Sequence, residues 1–205
     1  MFMISLILKH WKMVFFWGIF FAATSVGVSV FLPRQYSAES QVLIITKDRY
    51  GVDPYTQAKA AERIGENLAQ IMKTADFYNK VLASEFTFDR DAWKNISSER
   101  LRRKNWQKDV LANVVYGTSL MKITAYRSTP AEAVALSSAV TQTITSRGWE
   151  YIGGDAVIKV VSDPLASRWY AKPNFIVNGI LGFFVGMFLA ALWVVRYKKH
   201  HMFGK

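Results

Sequence analysis

The sequence predicts an α+β domain placed between two transmembrane helices. Two uncharged runs, 13–32 and 175–195, predict the helices, because a bilayer core is crossed by roughly 20 apolar residues. The chain between these runs predicts the domain. Its strand and helix patterns follow the order β, several helices, β, α, β, which is typical of an α+β fold with a small mixed sheet.

These boundaries divide the 205 residues into five parts. We expect a cytoplasmic N-terminal tail at 1–12, a first transmembrane helix at 13–32, an extracytoplasmic domain at 33–173, a second transmembrane helix at 174–195 and a basic cytoplasmic tail at 196–205.

A cleaved signal peptide is the alternative for the first apolar run, since Lys9 and Lys12 precede it. However, a signal peptide has an apolar region of about 7 to 15 residues followed by a small-residue cleavage site, and this run is longer and lacks such a site. A retained helix is therefore the prediction.

Charge favours a cytoplasmic location for both tails and argues against nucleic acid as a partner. Basic residues flank both sides of the spans almost equally, but a long loop crosses a membrane largely regardless of its charge, so the tails decide the orientation. The net charge is +11, and anionic membrane lipids are the expected partner for basic tails. With no cysteine, the chain has no disulfide and no thiolate metal site.

Three segments of the middle region have strand patterns. Residues 40–46 include Val42–Ile45, whose side chains favour strands. Residues 119–126 alternate apolar Met121, Ile123 and Ala125 with polar neighbours, which predicts a strand with one buried face. Residues 156–161 follow a break at Gly153 and form the third predicted strand.

Two helices are predicted shortly after the first strand, before the second one. Residues 56–72 place Ala60, Ile64 and Leu68 at helical spacing. Thr74 is expected to cap a short helix, because a threonine hydroxyl accepts a hydrogen bond from a free N–H of the first turn.

Two further helices are predicted around the second strand. Ser97 or Ser98 is the expected cap of the first, whose inner residues would be Leu101, Trp106 and Val110–Leu111. The second begins at Pro130, which the first turn of a helix tolerates, and continues to Arg147. Its expected inner face is made of Ala131, Val134, Ala135, Ser138 and Ile144.

The sequence offers no recognisable catalytic, cofactor or metal site, and we expect a protein that is not an enzyme. There is no G-x-x-x-x-G-K-[ST] loop for phosphates. The histidines, His10, His200 and His201, all lie in the tails. A catalytic triad or a typical zinc site needs such residues within the domain.

Two carboxylate pairs are candidate acid–base groups. Asp89 with Asp91 is one. Glu62 with Glu66 is the other, and we interpret it as part of a solvated helix face that pairs with Lys59 and Arg63.

The most basic stretch of the domain surrounds Trp106. It is a candidate contact for an acidic glycan or a lipid phosphate, with a solvated helix face as the alternative. Its members are Arg100, Arg102, Arg103, Lys104 and Lys108.

Small residues recur every fourth position in the second apolar run. The series is Asn178, Gly182, Gly186 and Ala190. Such a stripe lets another helix approach closely, and an asparagine can add a hydrogen bond. The sequence predicts a packing helix but leaves open whether it meets the first span, another copy or another protein.

Several stretches together resemble the Wzz-type chain-length determinants, also called polysaccharide co-polymerases, of bacterial inner membranes. These are LPRQYSAESQVLI after the first span with the overlapping stretch VLIITKDRY, then MKITAYRSTPAEAVALSSAVTQTI, and the ending from VIKVVSDPLASRWYAKPN through the glycine-bearing second span. In the family a proline-rich segment leads into that span. Pro164, Lys172, Pro173 and Asn174 match it, but Trp169 and Tyr170 stand where a middle proline is expected.

The resemblance implies a function and a set of partners. Family members form homo-oligomeric rings that influence the length or export of capsule, O-antigen or exopolysaccharide chains built on a lipid carrier. The implied partners are further copies, a polymerase or export machinery and the lipid-linked glycan. Two alternatives stay open: a membrane activator of a separate cytoplasmic tyrosine kinase, and an unrelated two-span scaffold of the cell envelope.

Overall fold

A computed structural model describes residues 9–46, 53–153 and 156–203. The chain separates into two compact units. One is a helical unit drawn from Met1–Arg34 and Lys172–Lys205, and the other is an α+β domain spanning Gln35–Ala171.

Helices are numbered here in chain order over the described residues. They are α1 Trp11–Val30, α2 Pro54–Ile71, α3 Ala75–Leu82, α4 Asp91–Lys94, α5 Glu99–Asp109, α6 Pro130–Arg147, α7 Trp149–Ile152 and α8 Phe175–Phe203. Helix α1 and the segment Phe175–Tyr197 of α8 are long and apolar enough to span a membrane, with mean hydropathies of 1.9 and 2.3.

The domain contains a four-stranded antiparallel sheet. Its strands are β1 Tyr36–Thr46, β2 Val110–Val114, β3 Leu120–Arg127 and β4 Ala156–Ala166, in the order β2-β3-β1-β4. The expected mixed sheet is wrong. Strands β3 and β4 run in the same direction and are joined through α6, but β1 lies between them and pairs antiparallel with both.

Helices α2 and α6 cover one face of this sheet and bury its alternate side chains. Met121, Ile123 and Ala125 of β3 are fully buried, as their alternation predicts. Val42 and Ile44 of β1 join them in the core. The buried side of the sheet therefore follows the period-two pattern of the sequence.

Hydrogen bonds at helix starts explain why several predicted helices begin close to the expected residue. The Thr74 hydroxyl accepts from the backbone N–H of Phe77, and the Thr129 hydroxyl accepts from that of Glu132. Helix α6 runs from Pro130 to Arg147, as predicted. Ser98 is the N-cap residue of α5, but its side chain makes no capping bond.

The segment after α5 corrects two expectations. Val110 and Leu111 do not end a helix; they begin β2, which pairs with β3 through Val110 opposite Ala125. Leu101 is 53% exposed, while Trp106 is 1% exposed. The Trp106 indole N–H donates to the Met72 carbonyl oxygen at 2.7 Å. This bond fixes the orientation of Trp106, the buried side chain of α5.

The buried face of α6 also differs from the prediction. Ala131 is exposed, whereas the buried residues include Ser137 and Thr141. These hydroxyls reach Ser40 of β1: the oxygens of Ser40 and Thr141 are 2.6 Å apart, and Ser137 donates to Ser40 at 3.3 Å. Because each hydroxyl has a partner, polar residues can occupy the core face. The predicted face also left out the fully buried apolar residues Leu136, Ala139 and Val140, so it was rotated from the observed one.

Candidate functional site: the contact between the two apolar helices

Helices α1 and α8 pack antiparallel within the helical unit, through residues spaced by about one turn on each. At one end Val14 packs with Ala190 and Val194. In the middle Gly18 lies against Phe183 and Met187. At the other end Ser29 meets Asn178. The contact therefore extends along most of α1.

Two glycines of α8 bring the helix backbones together. A Cβ on Gly186 would lie 2.6 Å from the Trp17 carbonyl oxygen and 2.7 Å from Phe21 Cβ. A Cβ on Gly182 would lie 2.7 Å from Ser25 Cβ and 2.8 Å from the Phe21 carbonyl oxygen. Real Cβ atoms do not approach backbone this closely, so only glycine fits either position.

Hydrogen bonds join the helices at the Asn178 end. The Asn178 side-chain amide donates to Ser29 Oγ at 2.8 Å, and Ser25 Oγ donates to the Asn178 carbonyl oxygen at 2.9 Å. Ser29 is 3% exposed and also donates to the Ser25 carbonyl oxygen. Close backbone packing and interhelical hydrogen bonds are the two interactions that hold helices together in lipid.

The structure places the predicted stripe on this contact. Gly182 and Gly186 face the α1 backbone, Asn178 bonds to α1, and Ala190 is buried beside Val14. The neighbour that the sequence left open is the first apolar helix of the same chain.

Sequence reasoning missed the matching residues of α1. Their signal was a second series of small side chains at one-turn intervals inside the first apolar run. It consists of Gly18, Ala22, Ser25 and Ser29.

The basic residues around Trp106 do not form one surface. Arg102 turns into the domain, where its guanidinium donates to the Tyr78 hydroxyl at 3.3 Å and to the Ile96 carbonyl oxygen at 3.1 Å. Arg103 lies 3.8 Å from Glu99. Arg100 and Lys104 are exposed and one turn apart, without an ion pair to any described residue.

The last of these basic residues, Lys108, is exposed one further turn along α5. The exposed basic side chains of α5 are therefore Arg100, Arg103, Lys104 and Lys108. Trp106 belongs to the core and cannot stack on a ligand, since it is 1% exposed.

The proline-matched segment is divided between a strand and the start of α8. Pro164 lies within β4, which extends past the predicted end at 161 to Ala166. The pairing with β1 shifts register near this point, and a bulge on an edge strand accommodates a residue without an N–H.

Lys172, Pro173 and Asn174 stand at the start of α8. The Lys172–Pro173 peptide is cis. The Asn174 side chain accepts from the Val177 N–H at 3.1 Å, so Asn174 caps the second apolar helix.

The two carboxylate pairs differ in their surroundings. The Asp89 carboxylate accepts from the backbone N–H of Asp91 at 2.9 Å, which is a local turn. Glu62 is 8% exposed, whereas Glu66 is exposed, so the expected solvated pair is wrong. Glu62 lies on the buried side of α2 with Ala61 and Gly65. Over 9–46, 53–153 and 156–203, no acidic or histidine side chains group as metal ligands.

A cluster of ionisable groups connects α3 to α7. Lys80 Nζ lies 2.6 Å from Glu150, 2.9 Å from the Tyr151 hydroxyl and 3.0 Å from Asp76. The Tyr151 hydroxyl also donates to Asp76. Hydrogen bonds from Tyr151 and then Lys80 lower the pKa of Asp76, and the bonds to Glu150, Tyr151 and Asp76 raise the pKa of Lys80. Every member has a partner, so the cluster holds two helices together.

Comparison with known proteins leaves the chain without an assigned family. None of the family models searched matches it, and a search of curated proteins gave no match.

Proposed function

We propose that this chain is a two-pass protein of the bacterial cytoplasmic membrane, with its main domain outside the cytoplasm. There it regulates the chain length or export of a lipid-carrier-linked surface polysaccharide. It acts on a polymerase or export machinery and itself neither forms nor cleaves glycosidic bonds. The polysaccharide is a capsule, an O-antigen or an exopolysaccharide.

One observation carries the proposal: the separate stretches that resemble the polysaccharide co-polymerases fold into one piece of structure. The first stretch contains β1, the second forms β3 and α6, and the third contains β4. Strands β3 and β4 are the two neighbours of β1 in the sheet, and α6 packs on all three. Their adjacency supports treating the three stretches as one structural motif.

The two apolar helices give the second support. The stripe of small residues packs α8 against α1. The helix that precedes the domain in the chain and the helix that follows it therefore form one pair. In the co-polymerase arrangement the domain is likewise inserted between two spans, and this pairing supports membrane residence.

Self-association must then use other surfaces, because the small-residue face is occupied within one chain. Strand β4 is an edge strand with exposed apolar side chains, and an apolar edge favours association with another copy. Val157 and Val161 are each 55% exposed and Leu165 is 77% exposed. We propose this strand as part of the contact between subunits.

Deletion of the gene in its own bacterium tests the function. We expect the size distribution or the amount of the surface polysaccharide to change on gels, and the wild-type gene supplied in trans to restore it. An unchanged length and amount in the deletion strain would refute the proposal.

The subunit contact is tested separately by the particle size of the purified full chain. Val161→Lys should reduce the size, whereas Tyr116→Lys is the control because Tyr116 is 85% exposed outside β4. Equal sizes for the two variants would remove β4 from the interface. A ring in electron micrographs would support the oligomer.

A second candidate function is activation of a separate cytoplasmic tyrosine kinase. The observation that favours it is that α8 continues to Phe203, eight residues past Val195, so the basic end of the chain extends the helix. Truncation after Val195 should then abolish phosphorylation of the kinase, and full phosphorylation without these residues excludes this function.

A further inference from the structure

An apolar groove lies beside the contact between α1 and α8. Its volume is about 370 Å³, within the roughly 300–1,000 Å³ typical of ligand pockets. Every lining side chain is apolar or aromatic. The residues are Met13, Trp17 and Phe21 of α1 and Gly186, Leu189, Ala190 and Trp193 of α8.

The groove is open to its surroundings. Trp17 is 41% exposed, Leu189 is 45% exposed and Trp193 is 54% exposed. Large apolar surface of this kind is stable against an apolar ligand and unfavourable against water. The lining therefore selects a hydrocarbon chain over a polar molecule.

Two cations lie at the end of the groove that Met13 and Trp193 form. Lys12 directly precedes Met13, and Arg196 follows Trp193 by three residues, about one turn along the same helix. Both side chains are exposed, and neither makes an ion pair with a described residue. Because Val14 packs with Ala190 and Val194, both cations belong to the same end of the helix pair.

No acidic residue is available in this unit to neutralise these cations. Residues 1–34 and 172–205 contain no aspartate or glutamate. The helical unit itself therefore supplies no side-chain carboxylate to pair with them. Lipid phosphate attracts basic residues next to a membrane-spanning helix.

Aromatic side chains mark the same end of the helices. The Trp193 and Tyr197 rings stack with centroids 5.3 Å apart. Tryptophan and tyrosine concentrate where the hydrocarbon core of a bilayer meets its headgroups. The groove, the stacked Trp193 and Tyr197 rings and the two cations thus share one end of the helix pair.

We propose that this groove binds one acyl chain of an anionic phospholipid, whose phosphate pairs with Lys12 and Arg196. The inference rests on the membrane residence in the proposed function. It adds a defined lipid-binding site to that function. The groove is selective for the acyl chain, and the two cations are selective for an anionic headgroup.

Native mass spectrometry of the purified full chain tests the site, using micelles that contain equal amounts of phosphatidylglycerol and phosphatidylcholine with identical acyl chains. We expect the wild-type chain to retain phosphatidylglycerol preferentially. Removing each cation should lower that retention roughly fivefold, from the ~1 kcal/mol attributed to a basic residue near an anionic surface. The test variant is Lys12→Gln/Arg196→Gln.

Arg100→Gln/Lys104→Gln is the matched control, since it removes the same net charge from α5 in the other unit. It should leave retention unchanged. Equal retention of the two lipids by the wild-type chain, or equal losses in the two double variants, would overturn the proposal. Lys12 and Arg196 are exposed, so their substitution leaves the helix contact intact. The comparison of the two double variants therefore tests the proposal even if a variant of the groove misfolds.

Leu189→Trp tests the groove itself by filling it. Leu192→Trp is its control, because Leu192 is 51% exposed and does not line the groove. Retention should fall for the first variant and persist for the second. Equal effects would indicate nonspecific lipid around the helices, and a smaller particle with unchanged lipid would indicate a helix of another copy in the groove. Either result overturns the proposal.

Soluble glycerol phosphate provides the last arm, since it carries the headgroup chemistry without acyl chains. It should not displace the retained lipid, and displacement would overturn the role of the groove. Because the measurement uses purified protein, a negative result leaves the polysaccharide proposal standing. An unchanged polysaccharide in the deletion strain likewise leaves the lipid result intact.

Discussion

Replacing Gly186 with alanine should force α1 and α8 apart. The new Cβ would lie 2.6 Å from the Trp17 carbonyl oxygen, about 0.8 Å short of the 3.4 Å at which ordinary contact begins. The obstructing atom is backbone, so no side-chain rotation relieves the overlap. Overpacking of this kind costs about 1–3 kcal/mol.

Gly27→Ala is the matched control, because a Cβ on Gly27 would meet nothing within 4 Å. Both substitutions add the same methyl group to an apolar helix and gain up to ~1 kcal/mol of helix propensity. The difference between the two variants therefore isolates the contact. We expect Gly186→Ala to be less stable than Gly27→Ala by about 1–3 kcal/mol.

Chemical crosslinking measures the separation directly, since the chain has no cysteine of its own. Cysteines introduced at Val14 and Val194, which share one apolar cluster, should react with a short bis-maleimide in the Gly27→Ala background. The yield should fall in the Gly186→Ala background. Equal crosslinking yields and equal unfolding midpoints in detergent would refute the packing argument.

Three further predictions concern the α+β domain and are measured by urea unfolding of the full chain in detergent, followed by fluorescence and circular dichroism. Trp106→Phe should lower the free energy of unfolding by about 1–3 kcal/mol, because the Met72 carbonyl loses its buried donor; an unchanged midpoint would contradict this. The pKa of Asp76 is lowered from 3.8, so its contribution is present above about pH 4 and is lost as the pH falls further. Asp76→Asn should flatten that acid decline, and a parallel pH profile would reject it. Arg127, whose guanidinium carbon lies 3.7 Å from the centroid of the Trp93 ring, is 8% exposed. Arg127→Met should cost roughly 3 kcal/mol by breaking the buried ion pair in which Arg127 lies 3.7 Å from Asp109, and a neutral effect would show that the pair is dispensable.

Local signals account for the parts of the fold that the sequence predicted well. Thr129 and Pro130 define the start of α6 within a few residues, since a cap and a first-turn proline act on their own neighbourhood. Strand β3 was predictable because its alternation reflects a single buried face.

Pairing between distant segments explains what the sequence could not predict. Strand β2 follows α5 without a turn, and only its register with β3 makes Val110–Val114 a strand. The buried Ser137 and Thr141 depend on Ser40, which is about a hundred residues away in the chain. Similarly, the spacing of the glycines predicted a packed helix, but no spacing within α8 identifies α1 as its neighbour.

The hydroxyl groups of α1 bear on the order in which the protein is synthesised. A ribosome completes α1 well before α8, so α1 exists for a time without its partner. Ser29 donates to the Ser25 carbonyl oxygen, and Thr24 donates to that of Phe20, one turn earlier in each case. Such bonds satisfy a hydroxyl within its own helix.

The Asn178 side-chain amide instead bonds outside its own helix. It donates to Ser29 Oγ, which α1 presents as an acceptor while its own proton is already bonded. Thr24 and Ser29 thus bond within the helix made first, whereas Ser25 Oγ donates to the Asn178 carbonyl oxygen of the helix made last. Pairing of the two helices therefore satisfies the Ser25 hydroxyl and the Asn178 amide in one step, and both of these bonds form only after α8 has been made.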